Sequence, residues 1–267
     1  MTNEPLISCL MVTLPVRDRF AGLKQSIAGY LAQTHGRREL VVVLDGGTPE
    51  PTTAAIRTHL ATLGRDDIRI LEVAGTQTLG ALRNFSKASA LGEVVCQWDD
   101  DDLHHPERLQ RQLAALVQSG AEGTCMQEVM QFFPAERSLY CTNWRATEAK
   151  AHPGTLMRWS RSEALYPETG ERARLGEDLD VVLQLQRRGA YDVLAGAPHL
   201  YVYVSHGGNS WDGGHHRMLA DSLGLSRGLL SRRETALRQG LAPFDFGRGA
   251  VTVQGANGPA FVLGDTT

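Results

Sequence analysis

The sequence predicts an α/β fold, a mixed, mainly parallel sheet with helices on both faces, and three observations carry that expectation. Short apolar runs at residues 6–13, 40–44, 68–73 and 94–96 alternate four times with stretches whose apolar residues recur at helical spacing. The runs are nearly continuous rather than alternating, as expected of strands covered on both faces. The residues that follow them are polar, acidic or glycine-rich, which places chemistry at the C-terminal edge of the sheet, where open α/β sheets bind ligands.

Taken in order, Leu6 to Thr13 reads as the first strand, followed by the loop Leu14-Pro15-Val16-Arg17-Asp18-Arg19 and a helix carrying Leu23, Ile27, Tyr30 and Leu31 to Gly36. Leu40 to Leu44 is the second strand, ending in Asp45-Gly46-Gly47-Thr48-Pro49, with Ile56, Leu60 and Leu63 on the next helix. Ile68 to Val73 is the third strand, and Thr78 opens a helix running to Leu91. The fourth strand, Val94 to Cys96, runs into Asp99-Asp100-Asp101-Asp102, after which Pro106 suits a first helical turn and Leu109, Leu113 and Val117 mark a helix closed by Gly120. Beyond that the rhythm changes. Residues 124–133 and 138–142 read as strands without a crossover helix, His152 to Met157 as a further apolar stretch, and Gly176-Glu177-Asp178 as a helix start. Strands at 191–194 and 200–204, a loop around His206, one arginine-rich helix over 212–240 and a terminal hairpin at 251–263 complete the chain.

With 267 residues and 42% hydrophobic content the chain can bury one large α/β core. Its net charge of −3 gives no basic footprint, so nucleic acid is not expected as a partner and small ligands are. Cys9, Cys96, Cys125 and Cys141 lack metal-site or disulfide spacing and read as buried thiols, which favours a cytoplasmic setting. No apolar run reaches the roughly 18 residues of a spanning helix, which leaves attachment at the inner membrane face and a homodimer open.

Four adjacent carboxylates repel one another, and a fold that gathers them needs a compensating cation; hard divalent metals take oxygen ligands for this reason. The competing reading is a solvated acidic turn in which Asp102 or His105 caps the next helix.

The ordered set of first-strand loop, Val42-Val43-Leu44-Asp45-Gly46-Gly47-Thr48, Gly80-Ala81-Leu82-Arg83-Asn84, Trp98 to Pro106 and Gly176-Glu177-Asp178 resembles glycosyltransferase family 2 over residues 5 to about 210. That resemblance implies the GT-A fold, Rossmann-like, of nucleotide-diphospho-sugar transferases. It implies a glycosyltransferase domain over 1–211, with a nucleotide-binding half near 5–120 and an acceptor half near 121–211; the helical segment and hairpin at 212–267, with the hairpin outside the resemblance, are expected to pack on the same domain. It also implies a metal-dependent, inverting transfer from a UDP- or other nucleotide-diphosphate sugar to a hydroxyl acceptor, saccharide or lipid-linked, in surface glycan or other glycoconjugate synthesis.

By the same resemblance Asp99-Asp100-Asp101 is the family's Asp-x-Asp motif. Asp101 would bind Mn²⁺ or Mg²⁺, with Asp99 as a second metal candidate, and Asp99 or Asp100 would lie near the ribose or a metal-bound water. Pro15, Val16, Arg17 and Asp45 would hold the nucleoside, and Arg83 would approach the base or diphosphate. Asp178 would be the general base with Glu177 as its alternate, although acidic residues in a first helical turn also serve the helix dipole alone. His206 is a metal candidate, with His215 and His216 as rivals, and Trp144, His152 and Trp211 are candidates for contact with the acceptor. Leu44, where many members carry an aspartate, and Val16, where an aromatic is frequent, depart from the family pattern. A nucleotidyltransferase and a non-catalytic nucleotide-sugar-binding protein are the alternatives; the absence of a glycine-rich phosphate loop with lysine speaks against the first.

Overall fold

A computed structural model describes residues 4–13, 19–46, 52–209, 211 and 213–264. Its first half is a run of βα units: β1 (Ile7–Thr13), α1 (Phe20–Leu31), β2 (Arg38–Asp45), α2 (Thr52–Thr62), β3 (Ile68–Val73), α3 (Leu79–Ala88), β4 (Val94–Gln97), the two-residue β5 (Leu103–His104) and α4 (Arg108–Ser119). The second half holds β6 (Gly123–Met126), β7 (Glu128–Phe133), β8 (Ser138–Asn143), β9 (His152–Trp159), α5 (Glu177–Arg187), β10 (Tyr191–Leu194), β11 (Tyr201–Val204), α6 (Gly213–Leu223), α7 (Arg227–Arg232), α8 (Glu234–Leu241), β12 (Val251–Gly255) and β13 (Gly258–Leu263).

The main sheet has seven strands in the order β10-β6-β9-β4-β1-β2-β3. All its pairs are parallel except those of β9, which runs antiparallel between β4 and β6. Its strands are covered on both sides because alternate residues face opposite helices. Ile7, Cys9, Met11, Leu40, Val42, Leu44, Val94 and Cys96 pack with α1, α2 and α4 through Leu23, Ile27, Tyr30, Ile56, Leu60, Leu109 and Leu113. Leu10, Val41, Val43 and Val95 turn to the other face, where Leu82 of α3 covers them.

A second sheet, in the order β13-β12-β8-β7-β11-β5, stands beside it. The expected single strand over 124–133 is in fact β6 and β7, separated by Gln127 alone and belonging to different sheets. Both backbone groups of Gln127 are tied, its N–H to Leu194 O at 2.9 Å and its carbonyl to Trp144 N–H at 2.9 Å. The expected single helix over 212–240 is three helices. The chain leaves helical geometry at Gly224-Leu225-Ser226 because Leu225 bonds Cys141 O and Ala256 N–H as a strand would, and Ser226 then caps α7. The terminal hairpin extends the second sheet, β12 lying parallel to β8, and its Val251, Val253 and Phe261 share a core with Leu230, Leu237 and Leu241 of α7 and α8.

α4 starts at Arg108, two residues after Pro106, whose carbonyl accepts from Thr34 N–H at 2.8 Å; Gly120, at φ 67°, closes it in the left-handed region. All four cysteines are buried and unpaired. Among the described residues no helix is long and apolar enough to cross a membrane.

Candidate functional site

The C-terminal ends of β1, β2 and β4 lie side by side in the main sheet, and the acidic loop 99–102 leads from there to the end of β11 in the second sheet. What brings the loop there is a stripe of small residues on α1. A Cβ on Gly22 would stand 3.3 Å from Asp101 Cα, and one on Gly29 would stand 3.2 Å from His104 O. Between them Ser26 Oγ donates to Asp99 O at 2.7 Å, and Ser26 O accepts from the indole of buried Trp98 at 3.3 Å. Gln33, one turn further, donates to His105 O and accepts from Leu109 N–H. Positions 22, 26 and 29 share a helical face, and Gln33 lies just past the end of α1, so the loop is laid directly on the helix backbone.

Each carboxylate of the loop then has its own partner. Asp99 Oδ1 accepts from Arg83 Nη2 at 2.9 Å, and its Oδ2 from Gln97 Nε2 at 3.2 Å. Asp100, 2% exposed, accepts from Thr13 Oγ1 and from Arg19 Nη2 at 2.6 Å. The Arg19 nitrogen also reaches Asp101 Oδ2 at 2.7 Å, where His206 Nε2 lies at 3.0 Å. Asp102, fully buried, accepts from Tyr201 Oη and from Val204 N–H at 2.8 Å, which fixes the end of β11 just before His206.

The loop is therefore not a solvated helix cap: Glu107 occupies the cap position of α4 without a side-chain bond, and His105 Nδ1 accepts from Glu107 N–H instead. Burial, then the charge on Asp101, pushes Asp100 up to about 6. Burial, then the charges on Asp101 and Asp99, raises Asp102 well above the usual carboxylate range. For Asp101 burial works in the same direction, but the hydrogen bond from His206 and the Arg19 charge outweigh it and hold the group below its ordinary value.

Arg83 joins the two acidic clusters. From the second turn of α3 its Nη2 holds Asp99 while its Nε holds Glu177 Oε1 at 2.7 Å, and both Arg83 and Glu177 are buried. The helix that carries Arg83 sits close to the 163–168 segment because Gly80 has no side chain; a Cβ there would meet Pro167 O at 1.9 Å. Thr78 Oγ1 and Asn84 Nδ2 donate to Glu168 and Tyr166 carbonyls on the same segment. Glu177 is thus a tethering carboxylate, which leaves its neighbour Asp178, half-buried at the start of α5, as the acidic side chain that Arg83 does not hold. Asp178 accepts from Leu179 N–H at 2.8 Å, and burial followed by the charge on Glu177 pushes it up to about 7. Asp180 is paired with Arg172.

The sequence-predicted residues sort accordingly. Asp99, Asp100, Asp101, Arg83, Glu177, Asp178 and His206 come together; Asp45 ends β2 on the same edge, buried. Pro15, Val16 and Arg17 lie outside the described residues. Arg83 is placed between two carboxylates, and Asp100 is turned inward onto Thr13 and Arg19. Of the three histidines only His206 touches the acidic loop; His216 is buried with Nε2 3.0 Å from Trp211 O, and His215 stacks on Trp211 at 4.2 Å. Trp211 is 40% exposed. Trp144 meets His152 edge-on at 4.6 Å, and the buried His152 also contacts Tyr201 and Tyr203. That places His152 in a buried aromatic wall behind the acidic loop.

Among the described residues no three His, Cys, Asp or Glu side chains form a ready metal cage. Asp101 and His206 converge as two donors, oxygen and nitrogen, while Asp99 is directed to Arg83. The donor set fits a cation whose remaining ligands come from a bound phosphate and water. Sequence reading missed Arg19, Gln97, Thr13 and Tyr201, which hold these carboxylates.

A family model described as glycosyl transferase family 2 matches residues 11–151, more than half of the chain. An uncharacterized glycosyltransferase of Nostoc sp. is 38% identical over 89 residues, 33% of this chain and 27% of that one. EpsE of Bacillus subtilis, provisionally named a glycosyltransferase, is 31% identical over 116 residues, 43% of this chain and 40% of that one. The chain thus matches well under half the length of either relative. Among solved structures, TarS of S. aureus in complex with UDP superposes with a TM-score of 0.59 at 14% identity, covering 90% of this chain and 70% of that one. The mannosyltransferase PcManGT of Pyrobaculum calidifontis, in complex with GDP-Man and Mn²⁺, gives 0.57 at 17% identity, covering 91% and 64%. At such identities the likeness establishes the fold.

Proposed function

The chain belongs to glycosyl transferase family 2 and has the GT-A fold, and on that premise we propose that it transfers one sugar, with inversion, from a nucleoside-diphosphate sugar to a hydroxyl acceptor. The observation that carries the reading is the Arg83 bridge, because it brings a metal-type carboxylate loop and a carboxylate with a raised pKa to one sheet edge. The nucleotide and nucleotide sugar bound by TarS, and the GDP-Man bound by PcManGT, support a donor of this class.

In the transfer, an acceptor oxygen forms a bond to the anomeric carbon as the bond from that carbon to the diphosphate oxygen breaks; the bonding pair leaves with the diphosphate. The hydroxyl proton passes to Asp178, whose carboxylate is ionised above pH 7 yet basic enough to take it. In-line displacement requires Asp178 to approach from the side opposite the leaving group. Asp101, with His206 beside it, would hold a divalent cation, which supplies charge to offset that building on the diphosphate. Arg83 is paired with both Asp99 and Glu177, which limits how far their charges raise Asp178. Asp45 supports the nucleoside from the end of β2.

Incubation with UDP- and GDP-sugars, Mn²⁺ and a panel of hydroxyl acceptors tests the reading. Release of nucleoside diphosphate with a β-linked product from an α-linked donor is expected; release of pyrophosphate, or retention at the anomeric centre, rejects it.

A further inference from the structure

Asp101 Oδ2 is the atom on which the acidic loop converges. It receives Arg19 Nη2 at 2.7 Å and His206 Nε2 at 3.0 Å, and the same Arg19 nitrogen reaches Asp100 Oδ1 at 2.6 Å. One guanidinium nitrogen therefore serves two adjacent carboxylates. Gly208 N–H donates to His206 Nδ1 at 3.0 Å. A ring nitrogen that accepts carries a lone pair, so the hydrogen sits on Nε2 and points at Asp101. Both neighbours of Asp101 are donors. A cation bound at the same oxygen needs its lone pair, and needs an imidazole nitrogen without a hydrogen.

We propose that Arg19 is a resident counter-ion of the acidic loop that exchanges onto the diphosphate of an incoming donor, so that Asp101 becomes open to a divalent cation when nucleotide is present. The inference rests on the reading that the donor is a nucleoside-diphosphate sugar. Guanidinium accepts phosphate and carboxylate as equivalent bidentate partners, so the exchange keeps the arginine paired. Its fork is only half used: Nη2 is engaged, while the buried Nε has no partner among the described residues. Arg57 shows what a full fork does in this protein, its Nε and Nη2 holding both oxygens of Glu72 at 2.7 and 2.8 Å. The side chain of Arg19 is 20% exposed where that of Asp100 is 2%, so the guanidinium is on the solvent side of the pair. Its backbone is set at the start of α1, whose first turn lies against Asp101 through Gly22. Rotation of one side chain therefore completes the exchange. Arg19 and His206 already converge on Asp101 Oδ2, and a cation arriving there is repelled by the guanidinium.

Equilibrium binding to the full chain tests this. Free Mn²⁺ is read by electron paramagnetic resonance, with correction for Mn²⁺ bound to nucleotide in solution, and UDP and GDP binding is read by calorimetry. In the wild type, Mn²⁺ affinity is expected to rise about tenfold or more when the preferred diphosphate is saturating. Arg19→Gln is expected to bind Mn²⁺ alone about tenfold more tightly and the diphosphate, with Mn²⁺ present, about tenfold more weakly, with Arg19→Lys intermediate for nucleotide. Wild-type Mn²⁺ affinity that is the same with and without nucleotide overturns the exchange, whether or not the variants fold. So does an Arg19→Gln variant with either affinity unchanged. If no nucleoside diphosphate of a panel that adds ADP, CDP and dTDP to UDP and GDP binds the wild type, the donor reading itself falls and takes this inference with it.

Discussion

A carboxylate that accepts a proton near neutrality has to be lifted out of its ordinary range, and at Asp178 burial and the adjacent Glu177 charge do so. Asp178→Asn keeps the shape and much of the hydrogen bonding but not the basicity. Its kcat is expected to fall by about 10² to 10⁴ with donor affinity within a few fold, measured by steady-state kinetics and calorimetry. The sign of the pH dependence follows from the base being active only when ionised: kcat rises as pH passes through about 7 and levels off above it. Glu177→Gln removes a negative charge that raises Asp178 and frees Arg83 to act on it. The rising limb of the pH profile is therefore expected to move to lower pH, and a limb that stays in place or moves up argues against Asp178 as the titrating group.

At the scale of elements, α1 decides whether the acidic loop is usable. Gly22→Leu puts a side chain where a Cβ alone would be 3.3 Å from Asp101 Cα, so helix and loop must separate. Overpacking of this kind costs about 1 to 3 kcal/mol, and the variant is expected to lose both thermal stability and metal-dependent nucleotide binding. Leu at the exposed helix position Lys24 is the control that should lose neither. The carboxylates themselves were legible in the sequence, because apolar runs that end in acidic residues announce a strand and its C-terminal edge. Arg19 was not: an arginine in a loop looks like any surface arginine, and its partners depend on how closely α1 approaches, which the spacing of Gly22, Ser26 and Gly29 encodes only once the neighbour is known. The strand at 124–133 reads as one for a similar reason, since strand-forming composition runs on through Met126, Gln127 and Glu128 while the change of sheet is a matter of pairing.

On the scale of the whole molecule, the terminal hairpin shares a core with α7, α8 and the second sheet, so its loss should be felt throughout. Phe261→Ala is expected to cost about 3 kcal/mol or more as a buried aromatic truncation, read as a lowered midpoint of a single unfolding transition. Saturating nucleoside diphosphate should raise that same midpoint, because a ligand that binds only the folded state stabilises every part that unfolds with it. The passage from β6 to β7 has a mechanical meaning as well. The chain crosses from one sheet to the other in a single residue whose N–H and carbonyl are both bonded to other segments. A jaw that swings open needs a strip of backbone free to bend, and at Gln127 there is none. At this crossing the two sheets are joined without slack, whereas the turn 206–209 is held by three hydrogen bonds of its own and tied to β11 by Asn209 Nδ2 on Val204 O.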